Sequence, residues 1–132
     1  NEGLPIYIAK EISNKINLHK IDPSKAKVLL LGITFKENVS DIRNSKAIEL
    51  AKHLRNSGLE IVIYDPNVKG NLKTLRMKKI PEFPTNSKFD IIIFALKHKQ
   101  FVNISPIKFL KKNGFVYDVK GFLERHKRIY RL

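Results

Sequence analysis

The chain contains no cysteine, and its 132 residues include only 6 glycines and 12 acidic residues. Without cysteine, the chain itself can form no disulfide framework, no thiolate zinc site and no cysteine nucleophile. Every apolar run is shorter than the ~20 residues that a bilayer-spanning helix needs. The chain begins at Asn1 with neither an initiator methionine nor a signal peptide, so we expect a fragment of a longer, cytoplasmic protein.

The few acidic residues are outnumbered by 26 lysines and arginines, which gives a formal net charge of +14. A basic surface favours anionic partners, among them nucleic acid, phosphorylated metabolites and acidic membranes. A general amino-acid usage rich in lysine, isoleucine and asparagine explains the same excess without any partner. The length and the 42% of hydrophobic residues are those of one ordinary globular domain.

Helical and extended patterns alternate along the chain. Residues 3–18 predict an amphipathic helix, because apolar residues recur along one face with Pro5 in the first turn (Leu4, Ile8, Ile12, Ile16 and Leu18). Helical spacing returns from Ala47 to Leu54 and ends at Gly58, a residue typical of helix C-termini. A short helix is predicted near 104–112.

Short apolar runs predict strands buried on both faces of a parallel sheet (27–33, 60–64, 89–96 and 115–119). The run at 89–96 is the most apolar, so we expect it near the centre of the sheet. The segment 67–88 and the tail from Gly121 are basic and irregular. Strands that alternate with helices predict an α/β domain, in which ligands bind at the carboxyl ends of the strands.

Dinucleotide and nucleoside triphosphate motifs are absent from the loop after the first strand. The glycines of a G-x-G-x-x-G motif have no side chains, so a pyrophosphate can come close to the backbone. This loop has the single glycine Gly32. Asp65 ends the second strand, where dinucleotide-binding domains keep a ribose-binding acid. Without the glycines, a turn at Asp65-Pro66 is the better interpretation.

Metal and nucleophile patterns are absent as well. None of the four histidines has the spacing of a metal-ligand pair, so we predict no metal site. Only His98 follows a predicted strand at the carboxyl edge. No Ser/His/Asp order and no paired carboxylates are present, and we therefore expect no catalytic residue within this chain.

The same edge of the predicted sheet carries several charged residues. Lys36, Asp41 and Arg43 precede a helix that is expected to begin near Asn44–Ser45, which makes an anion or sugar-phosphate site plausible. An ordinary charged loop with an Asp41–Arg43 surface pair is the alternative. Lys120 follows the fourth strand, where it could meet the same ligand with Asp118 orienting it. The pattern alone favours solvated charges there.

Four sequence blocks resemble a known family in the order in which they occur. They are GITFKENVSDIRNSKAIEL, GLEIVIYDPNV, IIIFALKHKQF and NGFVYDVKGFL, and the opening NEGLPIYIA is similar to the end of the family's connecting helix. Together they resemble the C-terminal, UDP-binding domain of the UDP-glucose/GDP-mannose dehydrogenase family. LKHKQF and DVKG are most similar to the branch that acts on UDP-N-acetylhexosamines.

The resemblance implies a fold and a set of partners. We expect a Rossmann-like parallel sheet flanked by helices and preceded by an N-terminal helix. Residues 1–20 would be the end of the central connecting and dimerisation helix, and 21–132 the domain that binds the UDP-sugar. NAD would be bound mainly by an N-terminal domain outside this chain, which also carries the catalytic cysteine. The intact enzyme is expected to be a homodimer that needs neither nucleic acid nor a membrane.

The resemblance also implies roles for individual residues. Phe35 and Lys36 match the family's Phe-Lys pair that contacts the substrate. Lys120 takes the place of an arginine that contacts the sugar nucleotide, so the charge is kept and the planar fork is lost. Arg43 matches the arginine that reaches NAD across the interdomain cleft. No metal ligand is implied.

A different class of function stays open from the residues alone. The net charge of +14 and the segment KGNLKTLRMKK also suit a basic α/β module that binds nucleic acid. Against this alternative, the chain has no aromatic stacking platform and no recognised RNA-binding motif.

Overall fold

The computed structural model describes residues 3–72 and 75–132. Its helices are α1 (Leu4–Leu18) and α2 (Lys46–Asn56), and its strands are β1 (Lys27–Leu31), β2 (Glu60–Tyr64), β3 (Lys78–Ile80), β4 (Phe89–Phe94), β5 (Leu110–Asp118) and β6 (Ile129–Arg131). All the strand pairs are parallel, and the order is β3-β2-β1-β4-β5-β6. This is the strand order of Rossmann folds, and it confirms the predicted parallel α/β sheet with a preceding helix.

The first helix matches its prediction except at its end. Pro5 lies in the first turn, where its missing N–H costs no hydrogen bond, and Ile8, Ile12 and Ile16 are buried against the sheet. Leu18 was expected to extend this stripe, but it is 67% exposed. Leu18 is two residues beyond Ile16, about 200° around the helix, so its side chain points away from the sheet.

The sheet has two differently covered faces, because side chains alternate along each strand. Val28 and Leu30 of β1 share a core with both helices, whereas Leu29 and Leu31 face the other side. That second face is covered by loops and by two 3₁₀ turns, Lys99–Phe101 and Pro106–Phe109. The helix predicted near 104–112 is therefore wrong. Its residues form one 3₁₀ turn, and β5 already begins at Leu110, paired with Phe89.

The sheet also extends beyond the predicted strands. β4 lies between β1 and β5, which confirms its central place. β3 and β6, at the two edges, were not predicted, because each has three residues, carries basic side chains and is only partly buried. Lys73 and Thr74, within the basic segment KGNLKTLRMKK, lie outside the described residues. In the described part of the chain, no helix is long and apolar enough to cross a bilayer.

We expect Gly114→Ala to destabilise the domain. A Cβ at Gly114 would lie 2.7 Å from the carbonyl oxygen of Asp90, at the register shift between β4 and β5. Backbone cannot move aside as a flexible side chain does, so the cost should be ~1–3 kcal/mol, as for an overpacked core. Thermal unfolding should show a melting temperature lower by several degrees, with the exposed neighbour Lys112→Ala unchanged. Equal melting temperatures of the two variants would contradict the close contact.

Candidate functional site

The loop after β1 leaves the sheet at a position that requires glycine. Gly32 has a φ of 98°, and a Cβ there would lie 3.0 Å from the Cβ of Leu96. The loop ends at Ser45, whose side chain accepts a hydrogen bond from the N–H of Ile48 at 3.1 Å. Ser45 is thus the N-cap of α2, which confirms the predicted start of that helix.

Within this loop, hydrogen bonds between loop residues hold the segment that carries Phe35 and Lys36. The N–H of Phe35 donates to the carbonyl of Asp41 at 2.6 Å, and the Thr34 hydroxyl donates to the carbonyl of Lys36 at 2.8 Å. The phenyl ring of Phe35 is nevertheless exposed, with 54% of the residue's surface accessible. Over residues 3–72 and 75–132, the Lys36 ammonium forms no ion pair or hydrogen bond. It is therefore available to a ligand.

Arg43 is paired with Asp41, as the charged-loop alternative predicted. Its Nη2 lies 2.9 Å from Oδ2 of Asp41, and its Nε and backbone N–H donate to Oδ1. The hydrogen bonds and charge of Arg43 lower the pKa of Asp41 to about 2, so this carboxylate is ionised at neutral pH. The Arg43 side chain is still 85% exposed, which leaves much of its fork free to meet a second anion.

Lys120 reaches the loop after β1, as predicted from its place at the carboxyl edge of the sheet, although β4 lies between β1 and β5. Its Nζ lies 3.7 Å from Oε2 of Glu37, which also accepts from the N–H of Lys97. Burial alone would raise the pKa of Glu37, but the backbone hydrogen bonds and the charge of Lys120 lower it. Asp118 does not orient Lys120 in this arrangement. Its two oxygens accept from the N–H groups of Gly121 and Leu123, and so they hold the turn after β5.

A cleft of about 130 Å³ brings part of the predicted site together. Phe35 and Lys120 line it from two loops, opposite the start of α1 and the first turn of α2. Its walls are mostly apolar, with Lys46 as the other cation. Lys36 and Arg43 lie outside this wall, on the exposed part of the loop.

Below the loop lies a buried polar pair that the sequence analysis did not predict. Asp65, at the end of β2, and His98, after β4, are 2% and 0% exposed. Nε2 of His98 lies 3.0 Å from Oδ2 of Asp65 and 3.3 Å from the Thr34 hydroxyl. Burial would raise the pKa of Asp65, but hydrogen bonds from His98 and from the N–H groups of Ile33 and Asn67 lower it.

The sequence indicates each of these two residues separately, but not their contact. The predicted turn at Asp65 is confirmed, since Oδ1 accepts from the N–H of Asn67 at 2.9 Å. His98 was singled out as the histidine at the carboxyl edge. Their contact depends on β2 and β4 flanking β1, which the strand order alone reveals. In the described part of the chain, no three His, Asp or Glu side chains are grouped to hold a metal ion.

Comparison with known proteins identifies the domain. Residues 29–125 match the model of the UDP-glucose/GDP-mannose dehydrogenase family, UDP binding domain. The chain belongs to this family. It is 29% identical over its whole length to a UDP-N-acetyl-D-glucosamine 6-dehydrogenase of Pseudomonas aeruginosa, and 31% identical over 96% of its length to a UDP-N-acetyl-D-mannosamine dehydrogenase of Methanococcus aeolicus. The predicted resemblance to the family is thereby confirmed.

Solved structures of dehydrogenases have the same fold. A UDP-D-ManNAc dehydrogenase from Pyrococcus horikoshii superposes on 99% of the chain with a TM-score of 0.79 and 23% identity, covering 31% of that protein. An NDP-N-acetyl-D-galactosaminuronic acid dehydrogenase from Methanosarcina mazei gives a TM-score of 0.82 at 15% identity, covering 29% of that protein. The two curated relatives are covered to 32% and 28%, so the chain spans about a third of their length.

Proposed function

We propose that this chain is the sugar-nucleotide-binding part of an NAD-dependent UDP-sugar 6-dehydrogenase, with a UDP-N-acetylhexosamine as the substrate. The observation that carries the proposal is the loop after β1, which lies within the region matched to the UDP binding domain. It presents an exposed Phe35 and a Lys36 that has no ion-pair partner among the described residues. The relatives named for UDP-N-acetylglucosamine and UDP-N-acetylmannosamine support this substrate class. The finer role that we assign is that of a cytoplasmic enzyme whose product feeds surface-polysaccharide synthesis.

In this proposal, each residue of the candidate site has a separate task. Lys36 donates hydrogen bonds to sugar hydroxyls and neighbouring oxygens, because its ammonium has three donors and, in the part of the chain that the structure describes, no carboxylate partner to give up. Phe35 forms one wall of the site, next to the sugar. Lys120 balances the charge of the pyrophosphate, and Glu37 holds its ammonium at the loop until the ligand arrives.

The cofactor and the rest of the enzyme belong to the same proposal. When bound, NAD would supply the hydride acceptor for oxidation of the sugar alcohol, and we assign its main binding site to a domain outside this chain. Arg43 fits a phosphate or ribose of NAD from this side, because most of its guanidinium is exposed. We assign residues 1–20 to the end of a connecting helix that dimerises the enzyme, and 21–132 to the UDP-sugar domain. Asn1 and Glu2 lie outside the described residues.

The substrate assignment predicts an order of specificity in the full-length protein. We expect kcat/KM for UDP-N-acetylglucosamine or UDP-N-acetylmannosamine to exceed that for UDP-glucose and GDP-mannose by about tenfold or more, as for a site built to hydrogen-bond a specific group. Formation of NADH from each of the four nucleotide sugars measures this. A preference for UDP-glucose would contradict the assignment of a UDP-N-acetylhexosamine as the substrate. If none of the four nucleotide sugars yields NADH, the proposed dehydrogenase activity is refuted.

A nucleic-acid-binding role is the second candidate, favoured by the net charge of +14. It predicts tight binding of DNA or RNA whose affinity falls steeply as salt rises, because counterions are released. Fluorescence anisotropy with labelled oligonucleotides over a salt series tests this. Strong salt-dependent binding without any interaction with UDP-sugars would reverse the ranking of the two functions.

A further inference from the structure

The buried pair of Asp65 and His98 lies directly beneath the loop that carries Phe35 and Lys36. β1 has β2 on one side and β4 on the other, so residues at the ends of these strands flank the loop that leaves β1. Asp65 directly follows β2, and His98 follows β4. Two side chains that are far apart in sequence therefore meet at one end of the sheet.

Hydrogen bonding determines which nitrogen of His98 carries the proton. The backbone N–H of Asn38 lies 3.1 Å from Nδ1, and a backbone N–H can only donate. Nδ1 is therefore the acceptor, and the proton is on Nε2, which points to Oδ2 of Asp65 at 3.0 Å. In this neutral form both ring nitrogens are used, as a buried imidazole requires.

The carboxylate of Asp65 completes the anchoring of the loop. Its Oδ2 also accepts from the N–H of Ile33 at 2.8 Å. The loop is thus held at Ile33 by Asp65 and at Asn38 by His98, and Phe35 and Lys36 lie between these two points. Asn38 adopts a φ of 60°, a left-handed conformation that asparagine tolerates better than most residues and that turns its N–H toward His98.

From this geometry we infer that Asp65 and His98 are positioning residues, which hold the loop of Phe35 and Lys36 in the shape that receives the nucleotide sugar. This inference rests on the proposed function. A turn at Asp65 needs only the hydrogen bond from Asn67 to Oδ1. The other contacts of the pair lead to the loop after β1, whose exposed end is the candidate site. Oδ2 accepts from the N–H of Ile33 and from Nε2 of His98, and Nδ1 of His98 accepts from the N–H of Asn38.

The test is steady-state kinetics of the full-length enzyme, with UDP-N-acetylglucosamine and NAD varied separately. His98→Ala should raise the KM for the sugar nucleotide or lower its kcat/KM by about 10–100-fold, because small misplacements of a binding group have effects of this size. The KM for NAD should change by less than about twofold, since Arg43 is held by Asp41 rather than by His98.

Two amide variants, each of which reproduces one ring nitrogen, separate positioning from simple stability. An amide oxygen in His98→Asn can take the place of Nδ1 and keep the acceptor for Asn38. His98→Gln instead places an amide nitrogen near Nε2 and keeps only the bond to Asp65. We expect His98→Asn to recover most of the lost activity and His98→Gln to recover less. Because both keep a polar side chain and more of the buried volume than alanine does, they keep the test valid if His98→Ala does not fold.

Combination with Lys36→Ala decides how His98 acts. If His98 acts through the loop, the double variant should lose less kcat/KM than the two single losses combined, because the contact of Lys36 is already gone and only that of Phe35 remains to be misplaced. Independent, additive losses, equal losses for NAD, or unchanged kinetics with a lowered melting temperature would each overturn the inference. If Lys36→Ala itself has no effect, the proposed function fails, and that result is distinct from failure of His98 alone.

Discussion

Replacing Lys36 with alanine should reduce kcat/KM for the UDP-sugar by ~10–100-fold or more in the full-length enzyme, with an unchanged melting temperature. The variant removes one or two charge-assisted hydrogen bonds, each worth ~1.5–3 kcal/mol. Stability should not change, because the Lys36 side chain is exposed and forms no ion pair within the described residues. Kinetics with UDP-sugar and NAD varied separately, together with thermal unfolding, measure both effects.

The matched control is Lys52→Ala, an exposed lysine on α2 outside the candidate site. It removes the same charge from the same protein, so it accounts for any general effect of net charge on an anionic substrate. We expect its kinetics to equal those of the wild type. If Lys36→Ala also retains wild-type sugar parameters, Lys36 is an ordinary solvated lysine and the substrate-binding role of the loop is refuted.

The central elements of the fold could be predicted because buried segments have simple patterns. β2 was predicted residue by residue, and the isoleucine stripe of α1 is buried as expected. The edge strands escaped prediction because their three residues gain little burial, and pairing with β2 or β5 decides their conformation. The sequence predicts a helix where Pro106–Phe109 form a 3₁₀ turn, because a short apolar run is compatible with either structure.

The candidate site, like the fold, could be predicted only in part. Charged residues after β1 and β5 were expected to lie close together, and the contact between Glu37 and Lys120 confirms this. Glu37, the partner of Lys120, was not predicted, because an acidic residue in a basic loop has no distinctive pattern. The pair of Asp65 and His98 depends on strand order, which a single sequence does not specify. The roles of Phe35, Lys36, Arg43 and Lys120 toward ligands remain predictions.

Replacing Arg43 with alanine should instead act through the cofactor. We expect the KM for NAD to rise by ~10–100-fold, because a guanidinium fork that binds a phosphate contributes charge-assisted hydrogen bonds of ~1.5–3 kcal/mol. The KM for the UDP-sugar should change little. Steady-state kinetics with NAD varied at saturating UDP-sugar measure this directly, with the exposed Arg125→Ala as the control for charge.

The local structure makes this variant a clean one. The N–H of residue 43 donates to Oδ1 of Asp41, and this backbone bond survives when the side chain is truncated. The ion pair that is lost is exposed to solvent, so it contributes little to stability, and the melting temperature should stay the same. Asp41→Asn removes the partner and keeps the fork, so it should raise the KM for NAD less than Arg43→Ala does. A larger effect of Asp41→Asn, or a rise in the KM for the UDP-sugar alone, would show that Arg43 shapes the loop rather than binding the cofactor.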